Sequence, residues 1–555
     1  MRNLKKILKF FLYAIGVLLL LVLCFYIYVK IVSNVKPPKI ADRSALNLKR
    51  TDHGNGFYTI GNNWFRHSKS GLFELYVEGE PFSRGVINGK LTKELVVRQE
   101  ENFADQIFKI IPSGFSRGLL KDMIGFFNRN LDKNVTEEDK EEIYGISESA
   151  SPAFQYLGSN YQRILNYHAA HDIGHAVQNL ALVGCTSFGT WGSHSANSSM
   201  IIGRNFDFWV GDKFSEDKIV AFFNPSGGHK FMIVTWGGFI GAVSGMNDQG
   251  LAVTINAAKS DIPTSSATPV SLVTREILQY AGNISEAIAI AKKRKMFVSE
   301  SFLVASAADH KAVIIEKTPD DLDVYDPKQD YILCTNHFQG SEFRDTKKNK
   351  EQIAESASEY RYKRLQELVS ADLKNTVPAT VAILRDRKGL HGADIGEGNE
   401  KAINQMIAHH SVVFEPEKRL VWVSTSPWQL GQYVAYDLNK IFSMHGLLEN
   451  REVIDSALTI PPDPYLLTDT FRMFEKYRMY KQQIADGKTV NPDSIVASNP
   501  EFYNAYLLAG DYAYKHKNYQ KAMRYYQAAL TKVIATKPEE RHIRKQIQKI
   551  NEVQQ

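Results

Sequence analysis

The feature that most constrains this chain is a change of period at Cys185. Upstream, stretches such as "NYQRILNYHAAHDIGHAVQNLALV" place apolar residues at helical spacing. Downstream come "SMIIGRNFDF", "KIVAFFNP", "HKFMIVTW", "GAVSGMNDQGLAVTINA", "FLVASAAD", "KAVIIEKTP" and "YILCTNHF". These short apolar or alternating runs, separated by Gly, Asn, Asp and Pro, read as strands and turns. "NDQG" is a hairpin signal, and "HHSVVFEPEKRLVWVSTSP" reads as a late hairpin. One helical run, "SLVTREILQYAGNISEAIAIAKKR", interrupts the strands. Earlier, "GLFELYVEGEPFSRGVINGKLTKELVVRQEE" reads as a strand, a glycine turn and a helix from about Gly85. Strands, then helices, then strands again predict an α+β sandwich in which helices cover stacked antiparallel sheets.

The two ends differ from this body. "FFLYAIGVLLLLVLCFYIYV", Phe10 to Val29, carries no charge. At 1.5 Å per residue it spans about 30 Å, the thickness of a bilayer core. No small-residue cleavage site follows it, so residues 1–30 read as a membrane anchor and not as a cleaved leader. The basic "MRNLKK" favours the N-terminus inside and the catalytic body on the extracytoplasmic side. Residues 31–50 form a stalk, residues 51–450 the body, residues 451–497 a linker with helices. In residues 498–555, "YLLAGDYAYKHKNYQKAMRYYQAALTK" is a helical pair about Lys517-Asn518. Gly510, Ala513, Tyr514, Ala522, Tyr526 and Ala529 fall at tetratricopeptide-like packing positions. One repeat cannot bury its own face, so this tail must pack on the body or on a protein partner. The chain of 555 residues is 44% hydrophobic and 23% charged, with a formal charge of +6. No basic run with interleaved aromatics is present, which argues against a nucleic-acid partner. Three cysteines, Cys24, Cys185 and Cys334, make no disulfide framework.

Cys185 lies in "LVGCTSFGTWG". A lone cysteine between apolar residues is usually a small buried hydrophobe. Its surroundings say more. "GRNFDF" brings Arg204 and Asp207 to one end of an element, and a cationic neighbour lowers a thiol's pKa. Asn256 ends a hairpin strand and Asn336 ends "YILCTNHF". Asparagine amides and backbone N–H groups are what an oxyanion hole needs.

The order of these pieces resembles the N-terminal-nucleophile hydrolases. It is most similar to the branch named for isopenicillin N acyltransferase, with choloylglycine hydrolases and acid ceramidase as more distant relatives. The matching pieces are "VEGEPFSRGVINGK", "GCTSF", "GRNFDF", "GGFIGAVSGMNDQGLAVTINA", "TNHF" and "SEYRYKRLQEL", within about Phe73 to Leu438. The resemblance implies an αββα sandwich, no cofactor and no metal. It implies self-cleavage between Gly184 and Cys185, with Gly184 tolerating a strained peptide. The freed α-amine of Cys185 then acts as general base, Asp207 orients it, Arg204 stands beside the thiol, and Asn336 and Asn256 (or its backbone N–H) serve as oxyanion donors. A late arginine is also implied, for which Arg344, Arg361, Arg385 and Arg387 are equal candidates. The implied function is a cysteine amidohydrolase or acyltransferase acting on a small-molecule or lipid-like N-acyl amide. The competing reading is a membrane-tethered scaffold with an inactive hydrolase fold and a partner-binding tail. His168, His171 and His175 share a helix face. They read as helix packing before a pocket or processing role, or a zinc site.

Overall fold

The computed structural model describes residues 2–110, 114–177, 184–208, 211–261, 263–371 and 374–554. Two sheets stack between helices. Among the described residues the larger has eleven strands: four from residues 51–79, then seven from residues 219–325. The smaller has seven, with Thr186–Thr190 and Ile201–Phe206 beside Tyr331–Cys334 and His410–Glu415.

The period of two explains the layers. In the strand Glu300–Ser306, Leu303 and Ala305 face the smaller sheet, where they meet Ile202, Val412 and Phe414. Phe302 and Val304 face the other way, onto Val273, Ile277, Ala287 and Ala291 of two helices. The outer face of the smaller sheet packs Phe188, Ile201 and Val413 against Leu365, Val369 and Leu384. The layers are therefore helix, sheet, sheet, helix, as expected from the sequence.

Four details differ from the sequence reading. The sheets are not wholly antiparallel: Phe73–Gly79 pairs with Ile219–Pro225 in parallel, Phe73 opposite Ile219 and Gly79 opposite Pro225. The helical excursion between them supplies the long crossover that a parallel pair needs. The helix expected from Gly85 starts at Pro81, because proline at the first turn costs no hydrogen bond. The run after Ser271 is two helices, Val270–Tyr280 and Ile284–Lys293; the chain turns at Ala281–Asn283, and Asn283 caps the second helix through Glu286 N (3.0 Å). The smaller sheet gains a last strand, Asp455–Ile460, beyond the hairpin His410–Ser424.

The N-terminal helix Arg2–Val32 contains one apolar stretch, Lys6–Val32, long enough to cross a membrane and unburied by the rest of the protein. Its C-terminal end packs Phe25 and Tyr28 edge-on to Phe126, and Lys30 pairs with Asp122 at 2.6 Å. At the other terminus, helices Tyr503–Lys515 and Tyr519–Ala529 pack closely because Gly510 admits the Tyr526 ring: a Cβ there would lie 2.7 Å from it. Their apolar cluster continues into Met406, Ala408, Trp428 and Leu430 of the body.

Candidate active site

Strand register gathers the site. Thr186–Thr190 pairs antiparallel with Ile201–Phe206, Ser187 opposite Arg204. Arg204 therefore points between the sheets beside the residue preceding the first strand, and its Nη2 lies 3.5 Å from Cys185 Sγ. The guanidinium is fixed by the carbonyls of Val243 (3.0 Å) and Ile255 (2.5 Å), by Ser244 Oγ, and by the Phe206 ring at 4.4 Å.

The Gly184–Cys185 peptide is held at three points. Gly184 N donates to Asp207 O (3.0 Å), Gln405 Nε2 donates to Gly184 O (2.7 Å), and Arg361 Nη1 donates to Cys185 O (2.7 Å). Close approach requires glycine at 184: a Cβ would sit 2.5 Å from Gln405 Oε1. Asp207 keeps one oxygen, Oδ1, without a hydrogen-bond partner, while Oδ2 accepts a long bond from Gln405 Nε2 (3.4 Å).

Asn336 and Asn256 close the site on the other side. Asn336 Nδ2 donates to Ala257 O (2.9 Å), and its Oδ1 accepts from Arg361 Nη2 (2.7 Å). Asn256 Nδ2 donates to the carbonyls of Cys334 and Thr335 (3.1 Å each), and Oδ1 accepts from Ser187. Its side chain thus braces the strand end that carries Asn336. Of the four late arginines, only Arg361 reaches this cluster. Arg344 is exposed beside Asp345, Arg385 binds carbonyls of Gln429, Gly431 and Pro461, and Arg387 pairs with Glu397.

Sequence reasoning missed two neighbours. Gln405 lies in the loop "INQMIAHH", which carries no motif signal. Glu300 begins a strand; it is fully buried and neither carboxylate oxygen has a hydrogen-bond partner. A glutamate opening a strand with the apolar run Phe302–Ala305 was the available signal.

Burial governs the electrostatics. Desolvation pushes the Cys185 thiol up to about 11, against the pull of Arg204, with Asp207 and Glu300 adding to the rise. Arg204 does lower the thiol, as its cationic neighbourhood predicts, but the low-dielectric surroundings outweigh one guanidinium. Burial lifts Asp207 to about 7 against Arg361 and Arg204, and Glu300 well above the carboxylate range. Arg361 is lowered to about 10 by burial and stays cationic at neutral pH.

His168 is buried, and both ring nitrogens are engaged. Ile240 N donates to Nε2 (3.0 Å), which leaves Nδ1–H to donate to Ile164 O (2.8 Å). The side chains of His171 and His175 lie outside the described residues. Among the described residues, no three His, Cys, Asp or Glu side chains converge as metal ligands do.

Chain neighbours of the site line a cavity of about 760 Å³. Lys259 follows Asn256 by three residues, Ser299 precedes Glu300, and Phe338 follows Asn336 by two. Met296, Phe297, Phe338 and Phe343 give it apolar walls, and Lys295 and Lys347 also line it.

Residues 194–426 match the model of the acyl-coenzyme A:6-aminopenicillanic acid acyl-transferase family. An N-acylethanolamine-hydrolyzing acid amidase of Caenorhabditis elegans is 26% identical over 197 residues, 34% of this chain and 53% of that protein. This chain is related to the N-terminal-nucleophile hydrolases. The matched segment includes Arg204, Asp207, Asn256, Asn336, Arg361 and Gln405; it begins after Cys185. Protein dcd1B of Dictyostelium discoideum is 24% identical over 271 residues, 45% of this chain and 51% of that protein. The chain spans about half the length of the curated relatives it matches. Among solved structures, the Caenorhabditis elegans ortholog of N-acylethanolamine-hydrolyzing acid amidase aligns at 18% identity over 42% of this chain and 93% of that one, TM-score 0.30. A mutant of the conjugated bile acid hydrolase from Clostridium perfringens aligns at 13% identity over 46% of this chain and 93% of that one, TM-score 0.32.

Proposed function

We propose that this chain is a membrane-tethered, self-processing cysteine amidohydrolase or acyltransferase with Cys185 as nucleophile. The observation that carries the reading is the three-point grip on the Gly184–Cys185 peptide, with a thiol beside Arg204 and an unpartnered carboxylate oxygen on Asp207. Sγ adds to the Gly184 carbonyl carbon. The C–N bond breaks, the thiol proton ends on the nitrogen of Cys185, and a thioester joins Gly184 to Sγ. Water hydrolyses the thioester, leaving the Gly184 carboxylate and a free thiol on a new N-terminal residue.

That residue carries its own base. A free α-amine titrates at about 7.7–8.0, so it takes the thiol proton near neutral pH. Asp207 Oδ1 is the acceptor that orients the amine. In turnover, Sγ attacks the substrate's acyl carbon and the amine leaves with a proton. Water or a second amine then takes the acyl group. Asn336 supplies the side-chain donor to the oxyanion, held by Arg361; the main-chain N–H of Asn256 is the second. The N-terminal helix keeps the body at a membrane, on the extracytoplasmic side.

Intact-mass measurement with N-terminal sequencing tests this reading, followed by an acyl-amide panel on the cleaved protein. Two chains, the second beginning at Cys185, are expected. Active protein in one uncut piece overturns it.

A further inference from the structure

The catalytic scheme gives no task to the tail or to the loop carrying Gln405. We infer that Gln405 is the oxyanion donor of the self-cleavage step, and that the C-terminal helices hold it in place. The inference rests on the proposed attack of Cys185 on Gly184. In that attack negative charge develops on Gly184 O, and Gln405 Nε2 is already 2.7 Å from that atom. Asn336, by contrast, donates to Ala257 O in the uncut chain. Cleavage and turnover therefore use different donors: Gln405 for the chain's own carbonyl, Asn336 for the substrate's.

Gln405 sits in a segment without regular structure, residues 393–409. Such a segment needs outside support to hold an amide within hydrogen-bonding distance of one oxygen. The tail provides it. Glu397 and Asn499 exchange hydrogen bonds, Glu397 N to Asn499 Oδ1 (3.1 Å) and Asn499 Nδ2 to Glu397 O (2.8 Å). Asn399 Nδ2 reaches Val533 O (2.9 Å). Gly396, at φ +80°, lies so close to Phe502 that a Cβ would meet its backbone nitrogen at 2.3 Å. Met406, the next residue after Gln405, is buried in the same apolar cluster as Phe474, Phe502 and Tyr503. Asn399 and Asn499 are themselves buried. Positioning residues from outside the family-matched segment thus fix a group that touches the reacting bond.

The experiment follows appearance of the cut form in full-length protein, by mass against time, for Gln405→Ala, Asn499→Ala and the double variant. Gln405→Ala should slow cleavage by about 10²–10³, the usual loss for one oxyanion donor. Asn499→Ala should slow it by about tenfold. The double variant should be no slower than Gln405→Ala alone, because Asn499 acts through Gln405. Full additivity in the double variant overturns the positioning role, and Gln405→Ala cleaving within threefold of wild type overturns the donor role. Should Gln405→Ala misfold by circular dichroism, Gln405→Glu keeps the size and removes the donor, with the same slowing expected. Wild type that never cleaves removes the proposed function and this inference together. Wild type that cleaves while Gln405→Ala and Gln405→Glu keep pace removes this inference alone.

Discussion

Two buried arginine clusters in this molecule use the same ingredients in opposite ways. In the first, Arg84 and Arg275 converge on Glu142. Its Oε2 accepts from Arg84 Nε (3.0 Å), Arg84 Nη2 (2.5 Å) and Arg275 Nη2 (2.6 Å). Burial pushes Glu142 up, but the two arginines outweigh it and hold the carboxyl below its ordinary value. This cluster ties helix Pro81–Leu91 to Glu137–Ser147, where Gly85 faces the Glu142 backbone with no room for a Cβ. In the second, Arg204 and Arg361 give their hydrogen bonds mainly to carbonyls. Asp207 Oδ1 and both oxygens of Glu300 are left without a partner, and both acids are pushed up. A buried charge that is fully paired belongs to the architecture. A buried acid left unpaired is costly, and it persists where chemistry uses it.

The largest expected effect on this contrast is Cys185→Ala, which should abolish cleavage and turnover while leaving thermal stability nearly unchanged. Cys334→Ala, at the other buried thiol, should still cleave. Gel mobility and thermal melts read both. Next is Glu142→Gln, which breaks a paired buried cluster and should destabilise the fold by about 3–5 kcal/mol. Protein that does fold should still cut itself; a cleavage defect in folded Glu142→Gln would erase the distinction between the clusters. Third, Asn336→Ala on cleaved enzyme should lose about 2.7–4 kcal/mol of transition-state stabilisation, or 10²–10³ in kcat. A change under threefold would make Asn336 a turn residue.

The smallest effects come from Asp207→Asn, and their signs are the sharpest test. Asp207 is raised to about 7 in the folded chain, against about 3.9 unfolded. The folded state therefore holds the extra proton, and this group's contribution to stability is lost as pH rises from about 4 through 7. Asp207→Asn removes that loss. In the uncleavable Cys185→Ala background it should match its parent near pH 4 and gain stability steadily as pH rises to 8. Glu142→Gln should show no such gain. In cleaved enzyme the same substitution removes the carboxylate that favours the charged α-amine. The acid limb of kcat/KM should move to lower pH and the rate should fall. A limb moving to higher pH would show that Asp207 does not act on the amine.

Local signals carried most of the layer plan into the sequence. The alternation in "GLAVTINA" and the turn at "NDQG" became the strand Leu251–Ala257 and its hairpin, with Gly250 at φ +75°. The parallel pair was not legible. Phe73–Gly79 and Ile219–Pro225 lie far apart in the chain, and nothing local distinguishes their pairing from antiparallel. The break at Ala281 was legible: Gly282-Asn283 is a stop followed by a cap, overridden by the apolar rhythm on either side. At the site, Cys185, Arg204, Asp207, Asn256 and Asn336 were named from motifs and order. Arg361 lay inside the quoted "SEYRYKRLQEL" but could not be separated from three other arginines, because its selection depends on which helix face meets Asn336. Gln405 and Glu300 depend on tertiary packing alone.

The parallel pair also fixes what a cut before Cys185 would mean. Four strands of the larger sheet precede Cys185 and seven follow it, joined edge to edge along seven residues. Cleavage would leave the two fragments laced together and change only the order of the folding reaction. An uncut chain refolds by a first-order process, since its halves are covalently tethered. Once severed, the same sheet needs a bimolecular encounter, so recovery from denaturant becomes dependent on concentration. Maturation would thus be a ratchet: a protein assembled once as a single molecule, and afterwards held by the slowness of its unfolding.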